Sequence, residues 1–350
     1  MTKILITGGC GFIGSHTSLL LLEKGYELII LDSNVNSSPN VIKKIVNILK
    51  NKSINASYKL NFYKGDVRDK LILEKIFLDA INNGKKIDGV IHFAGLKSVS
   101  ESILNPLSYW ENNVNGTIRL LNIMEKYNCK CIVFSSSATV YRAQNGRLLK
   151  EDDFCDPINP YGQTKLAIEK LLNDIHNSYP SEWRIACLRY FNPVGAHESG
   201  LIGEDPLGKP NNIYPQITKV AIGELSEIKV YGSDWPTNDG TGIRDYIHVM
   251  DLAEGHLITL NFLLKRKAQS LIVNLGTGKG TSVLELIKTF EKVNGLKIPF
   301  RFVDRRPGDN PYVVADNSLA KSVLNWEPKR NIADICKNGW NWQCKNPGGY

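Results

Sequence analysis

The sequence predicts an α/β protein: a doubly wound parallel sheet joined to a smaller α/β lobe. Three observations carry this reading. An apolar run, Lys3–Thr7, meets glycines at 8, 11 and 14 and then an apolar stretch of helical length and pattern. A second apolar run at 27–31 ends on an acid, Asp32. From there to residue 190 strand-like and helix-like stretches alternate, and the strands end in small or polar residues. This is the pattern of a parallel sheet covered by helices on both faces, with ligands at the carboxyl ends of its strands.

The first strand leads into Gly8-Gly-Cys-Gly-Phe-Ile-Gly14, a G-x-x-G-x-x-G spacing between strand and helix, which is the context of a Rossmann-type dinucleotide site. Gly8 permits the tight turn, Gly11 lets the backbone approach a pyrophosphate, and Gly14 allows close helix–strand packing. Phe12 and Ile13 lie inside the motif, at a helix N-terminus whose free N–H groups and positive dipole end face the phosphates. Asp32 suits a ribose diol and repels a 2′-phosphate, and the loop at 33–39 carries no Arg to rescue one. The cofactor expected is therefore NAD rather than NADP. Strand Leu60–Lys64 ends at Gly65-Asp66-Val67, where an acid can meet an adenine amino group. A strand at 89–93 ends in Ala94-Gly95-Leu96-Lys97, and a helix-like stretch at 107–127 contains Asn112 and Asn113. Ile132-Val133-Phe134 then leads into Ser135-Ser-Ser-Ala-Thr139.

The stretch that organises the chemistry is Tyr161-Gly-Gln-Thr-Lys165, directly after Asn159-Pro160 and at the head of the periodic run Leu166, Ile168, Leu171, Leu172, Ile175. Residues four apart on a helix share a face, so phenol and ammonium can address one ligand. A free tyrosine has a pKa of about 10, and a nearby cation favours the phenolate. A shift of roughly three units, about 4 kcal/mol, brings it near neutrality. The phenolate is then a general base for a hydroxyl proton.

Beyond residue 192 the alternation weakens. Residues 206–212 are loop-like, 213–225 reads as a helix, and 235–242 is a long turn-rich loop. The expected division is a dinucleotide-binding domain at 1–190 with a return segment at about 243–275, and a substrate lobe from 191–242 and 276–350. Apolar content of 42%, charged content of 22% and a net charge of +8 are ordinary for a soluble protein. The basic residues come in scattered pairs and one triplet, which argues against a nucleic-acid partner. The seven cysteines are dispersed and have no zinc-ligand spacing, and His197, His248 and His256 read as structural, so no metal is expected. No apolar run is long enough for a membrane span and no signal peptide is evident, so the expected location is cytoplasmic.

The glycine motif with Tyr161-x-x-x-Lys165 resembles the extended short-chain dehydrogenase/reductase superfamily. Five further stretches narrow the resemblance to the UDP-glucose 4-epimerases: Phe93-Ala-Gly-Leu-Lys97, Asn112-Asn-Val-Asn-Gly-Thr117, Ser135-Ser-Ser-Ala-Thr-Val-Tyr141, Leu188-Arg-Tyr-Phe-Asn-Pro-Val-Gly-Ala-His197 and Gly242-Ile-Arg-Asp-Tyr-Ile-His-Val-Met-Asp251. The likeness runs through Arg305-Arg306-Pro-Gly-Asp309 to Trp340-x-Trp342. It implies bound NAD, a UDP-sugar substrate, a homodimer, and inversion at C4′ through a 4-keto sugar that rotates before it is reduced again. By the same resemblance Tyr161 takes the proton of the sugar 4′-hydroxyl. Lys165 holds the nicotinamide ribose and lowers the tyrosine pKa, and Ser137 hydrogen-bonds the 4′-oxygen and the tyrosine. Lys97 and Asn112 line the cofactor, with Asp66, Val67, Phe93, Ala94 and Phe191 beside it. Lys97, Asn192, Asn212, Arg244, Tyr246, Arg306 and Asp309 face the UDP-sugar. Two guanidiniums also suit a pyrophosphate on chemical grounds, since each donates a bidentate pair.

Two positions depart from the family pattern. Arg142 stands where a glycine is usual after Val-Tyr, away from the chemistry. Val313 stands where members restricted to plain hexoses carry a bulky tyrosine. It implies room for an N-acetyl group, and so UDP-GlcNAc and UDP-GalNAc as further substrates, although a one-residue slip would present Tyr312 instead. Two other functions compete. A nucleotide-sugar 4,6-dehydratase needs an extra acid–base pair where Ala138 and Thr139 stand. A non-catalytic NAD-binding regulator has no need of intact Ser137, Tyr161 and Lys165.

Overall fold

The computed structural model describes residues 2–54, 59–142, 146–207, 212–306 and 309–350. The loop expected at 206–212 lies partly outside them, at 208–211, as do residues 307–308 of the Arg305–Asp309 stretch. In chain order the strands are β1 Lys3–Thr7, β2 Glu27–Asp32, β3 Leu60–Lys64, β4 Gly89–His92, β5 Cys131–Ser137, β6 Arg184–Tyr190, β7 Asn192–Val194, β8 Ile228–Tyr231, β9 Ile243–Arg244, β10 Tyr246–His248, β11 Gln269–Leu275, β12 Thr281–Ser282, β13 Phe300–Val303 and β14 Tyr312–Val313. The helices are α1 Phe12–Glu23, α2 Asn40–Asn51, α3 Lys70–Asn82, α4 Val99–Leu104, α5 Pro106–Tyr109, α6 Gly116–Lys126, α7 Pro160–Ser178, α8 Ile213–Ala221, α9 Val249–Leu264, α10 Val283–Asn294, α11 Ser318–Leu324 and α12 Ile332–Lys345.

Seven strands form one parallel sheet in the order β3-β2-β1-β4-β5-β6-β11. Strand order reverses between β1 and β4, which makes the carboxyl end of β1 the switch point where such sheets bind ligands. Because side chains alternate along a strand, Ile4 and Ile6 pack with α1, α2 and α9, while Leu5 packs with α3, α6 and α7. Both faces are covered, and every residue of β1 is buried.

Beyond β6 the chain crosses to a second cluster that packs Tyr214, Ile217, Ile228, Val230, Leu286, Phe290, Ile335 and Cys336. Two small pairings support it, β8 with β13 and β12-β9-β14. Between them α9 packs against α1, and β11 extends the large sheet beside β6. α10 opens with a capping box between Ser282 and Glu285 and closes on Gly295 in the left-handed region, φ +66°.

Three elements differ from the sequence expectation. The stretch at 107–127 is not one helix: Trp110–Asn115 winds as a π turn between α5 and α6. Such bulges re-aim side chains, and here Asn113 turns inward. The serines after Phe134 continue β5, because Ser135, Ser136 and Ser137 pair with Leu188, Arg189 and Tyr190 of β6. The helix expected at 213–225 stops at Ala221, and Gly223 follows at φ +81°.

Candidate active site

At the switch point Gly8 has φ +70°, and a Cβ there would lie 2.7 Å from the Ala94 amide nitrogen. A Cβ on Gly14 would collide with the Gly8 carbonyl oxygen. Only glycine fits at either position, and the loop hugs the end of β4 as a result. Gly11 caps α1 with no side-chain hydrogen bond, and the first turn, with Phe12 and Ile13, holds no acid. Its N–H groups are left for an anion. Asp32 is buried. Its carboxylate accepts from Cys10 N (2.8 Å), from Asn34 N (2.9 Å) and from the Ser37 hydroxyl (2.8 Å). It therefore fastens the glycine loop to the turn after β2, with lone pairs left over for a diol. In the sequence Ser37 is one polar loop residue among several. Asp66 is held by Arg68 through Nε (2.9 Å) and Nη2 (2.6 Å), and this pairing keeps its carboxyl below the usual range. Val67 is buried beneath Gly116.

The next layer is Ser137, Tyr161 and Lys165. Asn159 caps α7, its Oδ1 accepting from Gly162 N at 2.9 Å, and Pro160 opens the helix. Gly162 brings this first turn against the Thr139 carbonyl, and Thr139 donates to the Ser137 hydroxyl (3.0 Å). Lys165 is buried. Its Nζ donates to the Ser135 carbonyl (2.7 Å) and lies 4.8 Å from the centre of the Phe134 ring and 5.8 Å from that of Tyr161. A Cβ on Gly95 would stand 3.9 Å from Lys165 Nζ. Asn113 ties this region together: it accepts from Leu96 N (2.8 Å) and donates to Leu96 O and Thr164 Oγ1 (both 3.1 Å). Its neighbour Asn112 stays half-buried on the same π turn.

One expectation needs correction. Burial pushes Tyr161 up to about 12, with the Ser137 hydrogen bond pulling the other way, and pushes Lys165 down to about 8. The chain's own groups thus leave the phenol protonated at neutral pH. Lys165 does not offset the burial, because its ammonium gives its hydrogen bond to Ser135 rather than to the phenol.

Around these lie Phe93, whose ring is 4.8 Å from that of His256, and Ala94, whose N–H reaches Thr7 Oγ1 (3.3 Å). Phe191 is buried with Ala138, and Val313 packs against the same cluster. Arg244 of β9 pairs with Asp309 in a short contact, and β14 lies parallel to β9 with Val313 opposite Arg244. Arg306 lies 3.8 Å from the centre of the Tyr231 ring, and Arg305 lies 4.0 Å from that of Trp235. Asn192 and Tyr246 are opposed in the β7–β10 pair. Asn212 and Lys97 both donate to Glu204 Oε1 at 3.2 Å. Lys97 thus meets a buried carboxylate from the segment after β7, which the sequence pattern does not single out. A narrow cleft of about 20 Å³, lined by Gly11, Phe12, Ser37, Lys97, Glu204 and Tyr350, adjoins the N-terminus of α1.

Arg142 is exposed, pairs with Asp156 (2.9 Å) and stays out of the site. His248 caps α9 and His256 donates or accepts within the core, between Tyr190 and Leu252. Burial holds them down at about 3 and about 4 respectively. Among the described residues no group of three or more His, Cys, Asp or Glu could hold a metal ion.

A glycine loop facing a Ser–Tyr–Lys set across a parallel sheet defines a nucleotide-dependent enzyme of the short-chain dehydrogenase/reductase kind, and the family described as GDP-mannose 4,6 dehydratase matches residues 5–339. UDP-glucose 4-epimerase of Bacillus subtilis (strain 168) is 49% identical over 347 residues, which is 99% of this chain and 98% of that protein. The bifunctional UDP-glucose 4-epimerase and UDP-xylose 4-epimerase 3 of Arabidopsis thaliana is 49% identical over 349 residues, 99% of this chain and 97% of that protein. The crystal structure of UDP-glucose 4-epimerase from Bifidobacterium longum in complex with NAD+ and UDP is 47% identical, covers 100% of both chains and superposes with a TM-score of 0.92. The chain belongs to the UDP-glucose 4-epimerase family.

Proposed function

We infer that the chain interconverts UDP-glucose and UDP-galactose at C4′ with NAD. The observation that carries this is the placement of Ser137, Tyr161 and Lys165 at the carboxyl end of β5 and the start of α7, on the same edge of the sheet as the N-terminus of α1, which has no side-chain cap. NAD fits the chain's own donors: a glycine cradle that any Cβ would fill, free N–H groups on α1 for the pyrophosphate, and Asp32 for the adenosine ribose. When bound, NAD supplies a hydride acceptor and a positively charged ring. Tyr161 Oη accepts the proton of the 4′-hydroxyl and later returns it to the 4-keto oxygen, with Ser137 Oγ bonded to both. Lys165 Nζ, 5.8 Å from the centre of the Tyr161 ring, does not by itself offset the burial of the phenol, and the phenolate is favoured once the positive charge of the bound cofactor is added to that of the ammonium.

The UDP portion is assigned to Arg244, Arg306, Asp309, Asn192 and Asn212, with Tyr246 beneath. The sugar faces Ala138, Phe191 and Val313, an apolar wall with few donors. A tight nucleotide anchor beside a loosely held sugar is what a rotating 4-keto intermediate needs. We assign UDP-GlcNAc and UDP-GalNAc as further substrates on the small side chain of Val313. The 4,6-dehydratase alternative is not favoured, since Ala138 is apolar and Thr139 is spent on Ser137.

We also propose a homodimer through the α4–α5 face, where Ile103, Leu104, Leu107 and Trp110 are exposed, Leu104 and Leu107 at 79% and 83%. No described helix is long and apolar enough to cross a membrane. The seven cysteines are all free, in keeping with a reducing cytoplasmic setting. The deciding experiment supplies UDP-galactose to the purified protein without added NAD and follows absorbance near 340 nm (the reduced-nicotinamide band) together with the products. UDP-glucose formed with no net change in absorbance is the expected result. A requirement for stoichiometric added NAD would overturn the reading.

A further inference from the structure

Tyr161 and Lys165 are two members of a longer face. Glu169 follows one turn later, at i, i+4 and i+8 along α7, and is as deeply buried as Lys165. Its Oε1 accepts from the Ser136 hydroxyl in a short contact and from Arg189 Nε at 3.0 Å, and its Oε2 accepts from Arg189 Nη2 at 2.7 Å. Ser136 sits between Ser135, whose carbonyl receives Lys165, and Ser137 of the reactive set. Arg189 lies opposite Ser136 in the β5–β6 pairing. Its Nη1 donates to the Tyr141 hydroxyl and the Glu151 carbonyl, both at 2.9 Å, and the Tyr141 hydroxyl donates to Asn274 of β11 at 2.6 Å.

We propose that Glu169 is a positioning residue of this site: its charge keeps Lys165 an ammonium, and its bond to Ser136 fixes the end of β5 that carries Ser137. The proposal rests on the roles given above to Tyr161 and Lys165. As a stabilising device alone the pair makes little sense. Burying two ions costs desolvation on both, and an apolar pair of similar volume serves stability as well. Its placement one turn beyond Lys165 gives it a use.

The other buried groups around Lys165 do not supply an anion, and the two further carboxylates nearby, Glu101 and Glu111, are exposed. From β4 comes His92, which burial holds near 3 and neutral. From β6 come Cys187 and Tyr190, which burial keeps protonated, and Arg189, which is a cation. From α5 comes Tyr109, edge-on to Tyr161 at 6.4 Å, with Glu101 of α4 bonded to its hydroxyl. Glu111 of the π turn is exposed, and the turn at Ala138–Val140 has no titratable side chain. Burial lowers Lys165, and the field of Glu169 is what raises it again.

The test is the pH profile of kcat and of kcat/KM in the NAD-loaded enzyme with UDP-galactose. Losing the ammonium closes the alkaline limb, so Glu169→Gln should move that limb to lower pH by about one unit and lower turnover at pH 8 by roughly fivefold. Glu169→Asp keeps the charge and should restore the limb. Glu169→Gln leaves a buried guanidinium unpaired, so if it does not fold, Glu169→Gln with Arg189→Met removes both charges and should still move the limb to lower pH, by less than the single change because a cation is removed with the anion. A folded, NAD-retaining variant of either kind with its alkaline limb in place overturns the proposal. Tyr161→Phe, run alongside, separates the two readings. If it leaves turnover unchanged, the assignment of the base fails; if it abolishes turnover while the Glu169 limb stays put, only the role of Glu169 fails.

Discussion

The two walls of the site hold their functional groups by different means. On the β5–α7 wall Lys165, Glu169 and Asn113 are buried and bonded within the chain: Lys165 to Ser135, Glu169 to Ser136 and Arg189, Asn113 to Leu96 and Thr164. On the β9–β14 wall Arg306 rests on a ring face, Arg244 is only partly buried beside Asp309, and Asn212 hangs on a carboxylate shared with Lys97. The first wall allows little movement, because each bond broken there strands a buried polar atom at about 1–3 kcal/mol. The second can exchange its partners for a ligand's phosphates at little cost. Proton and hydride transfer need fixed geometry. A sugar that must present both faces needs a loose pocket and a strong grip elsewhere. The contrast divides these demands between the two walls.

The sharpest way to break this comparison is Tyr161→Phe. It removes one oxygen from the rigid wall, and the expected loss in kcat is about 10²–10⁴-fold, the scale of a missing general base. NAD content and thermal stability should hold. The check is steady-state turnover beside cofactor content by absorbance, and a variant within a factor of about three of the parent would show the proton leaving by another route.

On the other wall the expected signature is different. Arg244→Ala removes a charged donor and leaves Asp309 without its partner. A charge-assisted hydrogen bond is worth about 1.5–3 kcal/mol, so UDP should bind roughly 10- to 100-fold more weakly while kcat changes little. Calorimetric titration with UDP and a KM measurement test this together. A fall in kcat with KM unchanged would put Arg244 in the chemistry instead of the anchor.

Which parts of this arrangement are legible in the chain follows from the range of the interactions. Gly8, Gly11 and Gly14 announce themselves because a tight turn is a local event, and Tyr161 with Lys165 because four residues make one helical turn. Asp32 is legible by its place after an apolar strand. Glu204 is not, since its partner Lys97 lies 107 residues earlier. Glu169 reads as an ordinary helix charge until β6 brings Arg189 to it, and Tyr231 as a strand residue until Arg306 lies on its ring. Asn113 needed the π turn, which no spacing rule announces. The ionisation of Tyr161 is not legible for a related reason: i, i+4 spacing places the ammonium on the same face, but the direction of its hydrogen bond is set by the Ser135 carbonyl on another element.

The finest probe of the loose wall is Val313. Val313 packs against the cluster of Ala138 and Phe191, whereas Tyr312 turns towards Gly280, where an added Cβ would meet its ring at 3.6 Å. On the proposed assignment of Val313 to the sugar wall, that wall is short by the difference between a valine and a tyrosine. Val313→Tyr should fill that space and lower conversion of UDP-GalNAc by roughly 10- to 100-fold, the range over which pocket size discriminates, while UDP-galactose changes by less than about threefold. Product ratios from a mixture of the two substrates measure this directly. An equal fall for both sugars would mean that Val313 shapes the hexose pocket as well. A parent enzyme that converts UDP-GalNAc at under about a hundredth of its UDP-galactose efficiency would remove the assignment of N-acetylated substrates altogether. That result would leave the contrast between the walls intact, because a pocket can be loose enough for a hexose to rotate without being wide enough for an acetamide.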